Sequence, residues 1–172
     1  MKKTKYEVVD DALSKENLLV IQNLIMWNSE FPWYFRSDPV EKGREDSELS
    51  AFHLFFAGST PIKLDSISVS SYGFQLQPIV DLLEPKSLIR VKGNFYPRTC
   101  KVEEHIPHHD YDFPHKGAIF FLNTCDGFTR LNDGTKIESV ENRMLLFDPS
   151  EPHNSSSCSD EKARFNVNFN YF

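Results

Sequence analysis

Between positions 105 and 115 the sequence reads HIPHHDYDFPH, which places four of the chain's six histidines within eleven residues. Imidazole nitrogens and carboxylate oxygens are donors for first-row divalent metals, and their spacing decides which of them can share one ion. On an extended segment, side chains i and i+2 lie on one face and i+1 points away. His108 and Asp110 therefore converge while His109 is directed oppositely. The two donors stand about 6–7 Å apart along the chain, a reach that suits neighbouring positions around a single ion. A third donor has to come from another strand. The only histidine further along is His153, 43 residues after Asp110 and just past the apolar run MLLF. Two imidazoles and one carboxylate make the facial set typical of non-haem Fe(II), which leaves three coordination positions open for chemistry. His53, His105, His109 and His115 are read as passengers. His105 lies two residues before Pro107, a poor continuation for a regular strand.

Arg164 follows His153 by eleven residues. A fixed guanidinium fork beside a metal suits a dicarboxylate co-substrate, with one carboxylate and its adjacent keto oxygen on the metal and the far carboxylate on the arginine. The plainer alternative is a surface arginine.

These residues need a scaffold, and its pattern changes at Pro85. Upstream, SKENLLVIQNLIMW predicts a helix with Ser14 as N-cap and Leu18, Ile21, Leu24, Ile25 and Trp27 on its apolar face. GFQLQPIVDLLEP predicts a second helix, with Leu76, Ile79, Val80 and Leu83 on one face and a stop at Pro85. Downstream, short Ile-, Val-, Phe- and Tyr-rich runs alternate with turn signals such as CDG and NDG. Strands are expected near 88–96, 105–111, 117–123, 128–131, 135–139, 143–147 and 164–171. Many short strands with helices gathered upstream imply a mainly β protein, a jelly roll buttressed by helices. The expected organisation is one domain over residues 1–172, with a helical part at 1–86 and the β core at 87–172.

Two strands say more than that they exist. In LIRVKGNFY one face carries Ile89, Val91, Gly93 and Phe95, and the other Arg90, Lys92, Asn94 and Tyr96. In RFNVNFNYF one face carries Phe165, Val167, Phe169 and Tyr171, and the other Arg164, Asn166, Asn168 and Asn170. Such alternation packs one face on an apolar core and turns the other toward something polar. That is either bulk water or a ligand held inside the jelly roll.

Composition narrows the function classes. The 172 residues are 40% hydrophobic and include 15 phenylalanines, enough for a sizeable aromatic core. A formal charge of −6 gives no general attraction to nucleic acid or to an anionic membrane. The basic start, MKKTK, has no apolar signal core, and no apolar run approaches a membrane span. Cys100, Cys125 and Cys158 are odd in number and lack a C-x-x-C spacing, which predicts reduced thiols and a cytoplasmic setting. In EFPWYFRSDP, the residues Phe31, Trp33, Tyr34 and Phe35 either wall a substrate groove, act as a lid, or complete the core.

Taken in order, GNFYPRT, HHD, AIFFLNTCDGFT, ENRMLLFDPSEPH and RFNVNFNY resemble the Fe(II)/2-oxoglutarate-dependent dioxygenases, most closely the small prolyl-4-hydroxylase-like members known also from bacteriophages. The resemblance covers roughly residues 88–172 and keeps the order His-x-Asp, His, Arg. It implies a double-stranded β-helix of cupin-like type. It also implies iron ligands at His108, Asp110 and His153, with Arg164 on the distal carboxylate of 2-oxoglutarate. Asn94 and Tyr96 match an Asn-x-Tyr that contacts 2-oxoglutarate in related demethylases. Those demethylases carry a second arginine six residues after the first, where this chain has Asn170. The chemistry implied is hydroxylation of a C–H bond with Fe(II), 2-oxoglutarate and O2. By the same analogy the substrate is a peptide, one carrying proline being the first expectation, or a small molecule. Two alternatives stand beside it: a non-oxidative, cupin-like metal-binding protein, and a structural jelly-roll adaptor.

Overall fold

The computed structural model describes residues 5–35, 49–58 and 67–172. The charged stretch VEKGREDSE at 40–48 lies outside the described residues. The strands are β1 (Tyr6–Val9), β2 (Tyr34–Phe35), β3 (Ala51–Ala57), β4 (Ser68–Val69), β5 (Leu88–Pro97), β6 (Lys116–Phe121), β7 (Cys125–Leu131), β8 (Lys136–Ser139), β9 (Met144–Phe147), β10 (His153–Ser155) and β11 (Ala163–Tyr171), with helices α1 (Lys15–Gln22) and α2 (Gln77–Leu83). The larger sheet runs β1-β9-β6-β11-β5-β3-β2, with β4 also on β3, and the smaller runs β10-β7-β8. Their pairings are antiparallel.

Alternation along the strands gives the larger sheet two buried faces. On one, Ala118, Phe120, Met144, Val167 and Phe169 pack against Leu18 and Ile21 of α1, Ile25 just beyond it, and Leu76 and Ile79 around the start of α2. On the other, Ile119, Phe121, Leu145 and Phe147 meet Leu131 and Ile137 of the smaller sheet. The result is the helix-flanked jelly roll, a double-stranded β-helix, that the strand pattern and the resemblance both anticipate. Among the described residues no helix is long and apolar enough to cross a membrane.

Several elements differ from expectation, each for a physical reason. The first half is not only helical: β1 pairs with β9 and β3 with β5, so residues upstream of 86 extend the larger sheet at both ends. The first helix keeps its Ser14 cap, whose side chain accepts from the Asn17 N–H, but it widens into a π-turn over Asn23–Trp27. A wider turn shifts the helical phase, which leaves Trp27 exposed while Ile25 stays buried. The stretch 105–111 is no regular strand. It is an extended segment joined to the sheet by isolated bridges, Glu104 to Ser156 and His108 to His153. Pro107 has no N–H to continue a ladder.

Asn142, between β8 and β9, ties that turn to the segment leading into α1. It sits in the left-handed region at φ 61°. Its side chain accepts from the Leu13 N–H at 3.0 Å and donates to the Leu13 carbonyl at 2.8 Å. Replacing it with alanine removes both bonds and leaves a Cβ-bearing residue at positive φ without the local bonding that favours asparagine there. Asn142→Ala should therefore cost about 2–4 kcal/mol in urea unfolding, and Asn142→Gly distinctly less.

Candidate metal and co-substrate site

The interior face of the β5–β11 pair carries the site. Register sets Tyr96 across from Arg164, Asn94 from Asn166, Lys92 from Asn168 and Arg90 from Asn170. Arg164, Asn166, Asn168 and Asn170 are all buried, so the polar face meets the inside of the jelly roll and not bulk water.

His108 and His153 each donate a backbone N–H to the other's carbonyl, at 2.9 and 2.8 Å. Residues paired in this way project to the same side, and their rings lie 4.7 Å apart. Asp110 donates its N–H to the Pro149 carbonyl at 2.9 Å, which fixes it beside them. One ligand atom from each of His108, Asp110 and His153 lies within 4.8 Å of the others. That is the two-imidazole, one-carboxylate donor set at a spacing that one ion can bridge. The His153 ring is oriented by its Nδ1 contact with the Glu151 carbonyl at 3.0 Å, which leaves Nε2 for a metal. His109 faces the other way, with Nε2 2.6 Å from Asp112 Oδ1. His53 is packed among Phe31, Phe55 and Tyr72, with its nitrogens on Pro32 O and Ser70 Oγ.

Electrostatics keep the three donors in metal-binding form. Burial, then the neighbouring His153, brings His108 down to about 4, and burial lowers His153 as well. Burial alone would raise Asp110, but Arg90, His153 and the Asn168 bond outweigh it and hold the carboxyl below its usual range. Arg90 Nη2 lies 2.5 Å from Asp110 Oδ1, and Asn168 Nδ2 donates to Oδ2 at 3.1 Å.

Arg164 is fully buried at 0% exposure. Its Nη1 donates to the Ser156 carbonyl at 3.2 Å and Nη2 to Thr129 Oγ1 at 3.0 Å. Tyr96 and Phe121 flank the guanidinium at 5.6 and 5.4 Å. Its Nε is buried with no hydrogen-bond partner, and among the described residues no carboxylate pairs with it. A Cβ on Gly127 would stand 2.6 Å from both Arg164 Cδ and the Ser157 carbonyl, so glycine is what lets the arginine lie there. A buried cation without an anion is a strongly disfavoured arrangement in a closed protein, and a ligand carboxylate would relieve it. Asn94 donates to Asn166 Oδ1 at 2.9 Å on the same face.

Several residues at the site went unassigned in the sequence. His105 is not at the metal group. It lies beside Tyr96, ring to ring at 4.9 Å, with Nδ1 2.6 Å from Ser155 Oγ. Burial first, then the charge of Arg164, lowers it to about 4. Thr129 and Ser156 hold Arg164 through a hydroxyl and a backbone carbonyl, signals too common in sequence to single out. Arg90 was visible on the polar face of β5, and the structure makes it the cross-strand partner of Asn170. Of the aromatic stretch, Phe31 is buried and Trp33 packs on Phe31, Phe95 and Phe165, while Tyr34 and Phe35 are exposed.

The double-stranded β-helix is a fold that solved prolyl hydroxylases and 2-oxoglutarate/Fe(II) oxygenases share. Among solved structures the chain is similar to a prolyl-4-hydroxylase from Pseudomonas putida, with TM-score 0.66 and 13% identity over 98% of this chain and 93% of that one. It is likewise similar to a Trichoplax adhaerens prolyl hydroxylase in complex with a hypoxia-inducible-factor peptide fragment, with TM-score 0.69, 14% identity and coverage of 99% and 84%. The viral collagen prolyl hydroxylase of Paramecium bursaria Chlorella virus 1 gives TM-score 0.60 at 14% identity, covering 98% and 96%. No family model and no curated protein matches the sequence.

The lowered His105 has a consequence for stability. His105, at 6.5 when unfolded, is brought down to about 4 in the fold by burial first and then by the charge of Arg164. Between those values the unfolded state binds more protons, so folding stability falls as pH drops through the window. Melting temperatures of the metal-free protein should decline from pH 6.5 toward 4, and His105→Gln should flatten that decline.

Proposed function

We propose that the chain is an Fe(II)- and 2-oxoglutarate-dependent dioxygenase that hydroxylates a C–H bond, with residues 1–172 forming one oxygenase domain. The observation that carries this reading is Arg164: a fully buried guanidinium with an orphaned Nε and, among the described residues, no carboxylate beside it, in the chain that also brings His108, Asp110 and His153 together. In this reading His108, Asp110 and His153 hold the metal. Arg164 takes the distal carboxylate of 2-oxoglutarate, and Asn94 and Tyr96 contact the same molecule from β5.

Bound Fe(II) and 2-oxoglutarate supply an oxidant from O2 as the co-substrate is decarboxylated to succinate. The protein's part is positioning and exclusion of water. His108, Asp110 and His153 would hold the ion from one side and leave the other open to the co-substrate. Arg164 sets the far end of the dicarboxylate with a charge-assisted bond. Phe147 packs edge-on to His153 at 4.9 Å, and the buried Phe121 lies against the Arg164 guanidinium. A peptide substrate, one carrying proline first among them, is supported by the likeness to prolyl hydroxylases, one of which is in complex with a peptide.

The test is an anaerobic titration with Fe(II), then 2-oxoglutarate, followed by the visible charge-transfer band of the chelate. The band should form, vanish in His108→Ala, and require roughly 10–100-fold more 2-oxoglutarate in Arg164→Ala, the range for losing a bond to a charged group. A protein that binds Fe(II) but shows no band at saturating 2-oxoglutarate would instead be a non-oxidative metal-binding jelly roll. One that binds no metal would be a structural one.

A further inference from the structure

Behind Asp110 runs a buried chain of side chains that neither metal binding nor co-substrate binding uses. Asp110 Oδ2 accepts from Asn168 Nδ2 at 3.1 Å, and Asn168 Oδ1 accepts from Asn170 Nδ2 at 3.3 Å. Asn170 Oδ1 lies 2.7 Å from His115 Nε2, and His115 Nδ1 lies 2.8 Å from the Phe113 carbonyl. Asn168, Asn170 and His115 are 6%, 0% and 8% exposed, so water does not substitute for any link.

From Asp110 to Asn170 the chain has one allowed direction. An ionised carboxylate only accepts, so Asn168 must turn its NH2 to Asp110 and its oxygen to Asn170. Asn170 must then present its own NH2 to Asn168; its oxygen lies 2.7 Å from His115 Nε2, whose ring also faces the Phe113 carbonyl through Nδ1, so the direction set at Asp110 is fixed as far as Asn170. Flipping either amide would set oxygen against oxygen next to a buried negative charge. The far end is fixed too: Tyr111 and Phe113 pack around the His115 ring at 5.4 and 5.3 Å.

We propose that Asn168, Asn170 and His115 are positioning residues that hold Asp110 to one-oxygen coordination. This rests on the metal-centre reading above. Oδ1, the oxygen 4.0 Å from His108 Nε2, is the one turned toward the other donors, and the Asn168 bond holds Oδ2 on the β11 side. Arg90, also on Oδ1, limits rotation of the carboxylate from the other side. Released from Asn168, Asp110 swings to give both oxygens to the metal and occupies a position that the co-substrate needs. A purely structural asparagine would instead lower stability and weaken metal and co-substrate together.

Cobalt(II) distinguishes these cases, because its visible spectrum responds to the donor set and needs no turnover. Asn168→Ala should bind Co(II) within about threefold of the parent, show an altered visible spectrum, and bind 2-oxoglutarate roughly tenfold less tightly, the low end for loss of a metal ligand's hydrogen-bond partner. Asn170→Ala should shift in the same direction by less. His115→Gln, which offers a donor to Asn170, should stay closer to the parent than His115→Ala. An Asn168→Ala protein with an unchanged cobalt spectrum and unchanged 2-oxoglutarate affinity overturns the proposal, as does one that loses both affinities in step with its melting temperature. If the parent binds Co(II) but never 2-oxoglutarate, the oxygenase reading fails while the cobalt spectra still decide the relay. If the parent binds no Co(II), both fall.

Discussion

The antiparallel register of β5 against β11 decides which side chains enter the jelly roll. It sends Arg90, Lys92, Asn94 and Tyr96 inward opposite Asn170, Asn168, Asn166 and Arg164. Because side chains alternate with period two, a slip of one residue would send Val167 and Phe169 into the polar interior and Arg164 into the apolar packing under the helices. Both outcomes are costly, so burial on two faces pins the register. The interior polar face and the outer apolar one are thus a single constraint. The helices matter to the site mainly because they cover Val167, Phe169 and Phe120 and make any slip expensive.

An interior lined with asparagine and arginine has to satisfy its own hydrogen bonds. Most of this one does, through Asn94 to Asn166, Asn168 to Asp110, and Asn170 to His115. Asparagine suits the task because each amide gives and accepts, so links can be chained from strand to strand. Among the described residues, the buried side-chain atoms without a partner are the Nε atoms of Arg164 and Arg90 and Gln75 Oε1. Two of those three belong to the face that carries the proposed metal and co-substrate residues.

Much of the site was legible in the sequence because its cues are local. The i, i+2 rule places His108 and Asp110 together even though 105–111 is not a regular strand, since an extended backbone alternates with or without a ladder. The even-numbered polar positions of β11 were visible as a face. Its depth inside the protein was not, because alternation cannot tell water from an interior ligand. What stayed hidden depends on partners distant in sequence. Arg90 acquires a role only from its place opposite Asn170 and beside Asp110. AFHLFFA forms β3 with few polar positions, so the period-two signature is missing there. The three-residue β10 is too short to read, yet its bridge from His153 to His108 brings the two imidazoles together. His105 looked like an irregular residue near a proline, and that irregularity places it beside Tyr96.

The solitary charge of Arg164 has a consequence outside catalysis. Burying a cation without a counterion is a folding penalty, and any anion that binds there repays it by mass action. A ligand at a hundred times its dissociation constant adds about 2.7 kcal/mol to stability, a large share of the margin of a domain this size.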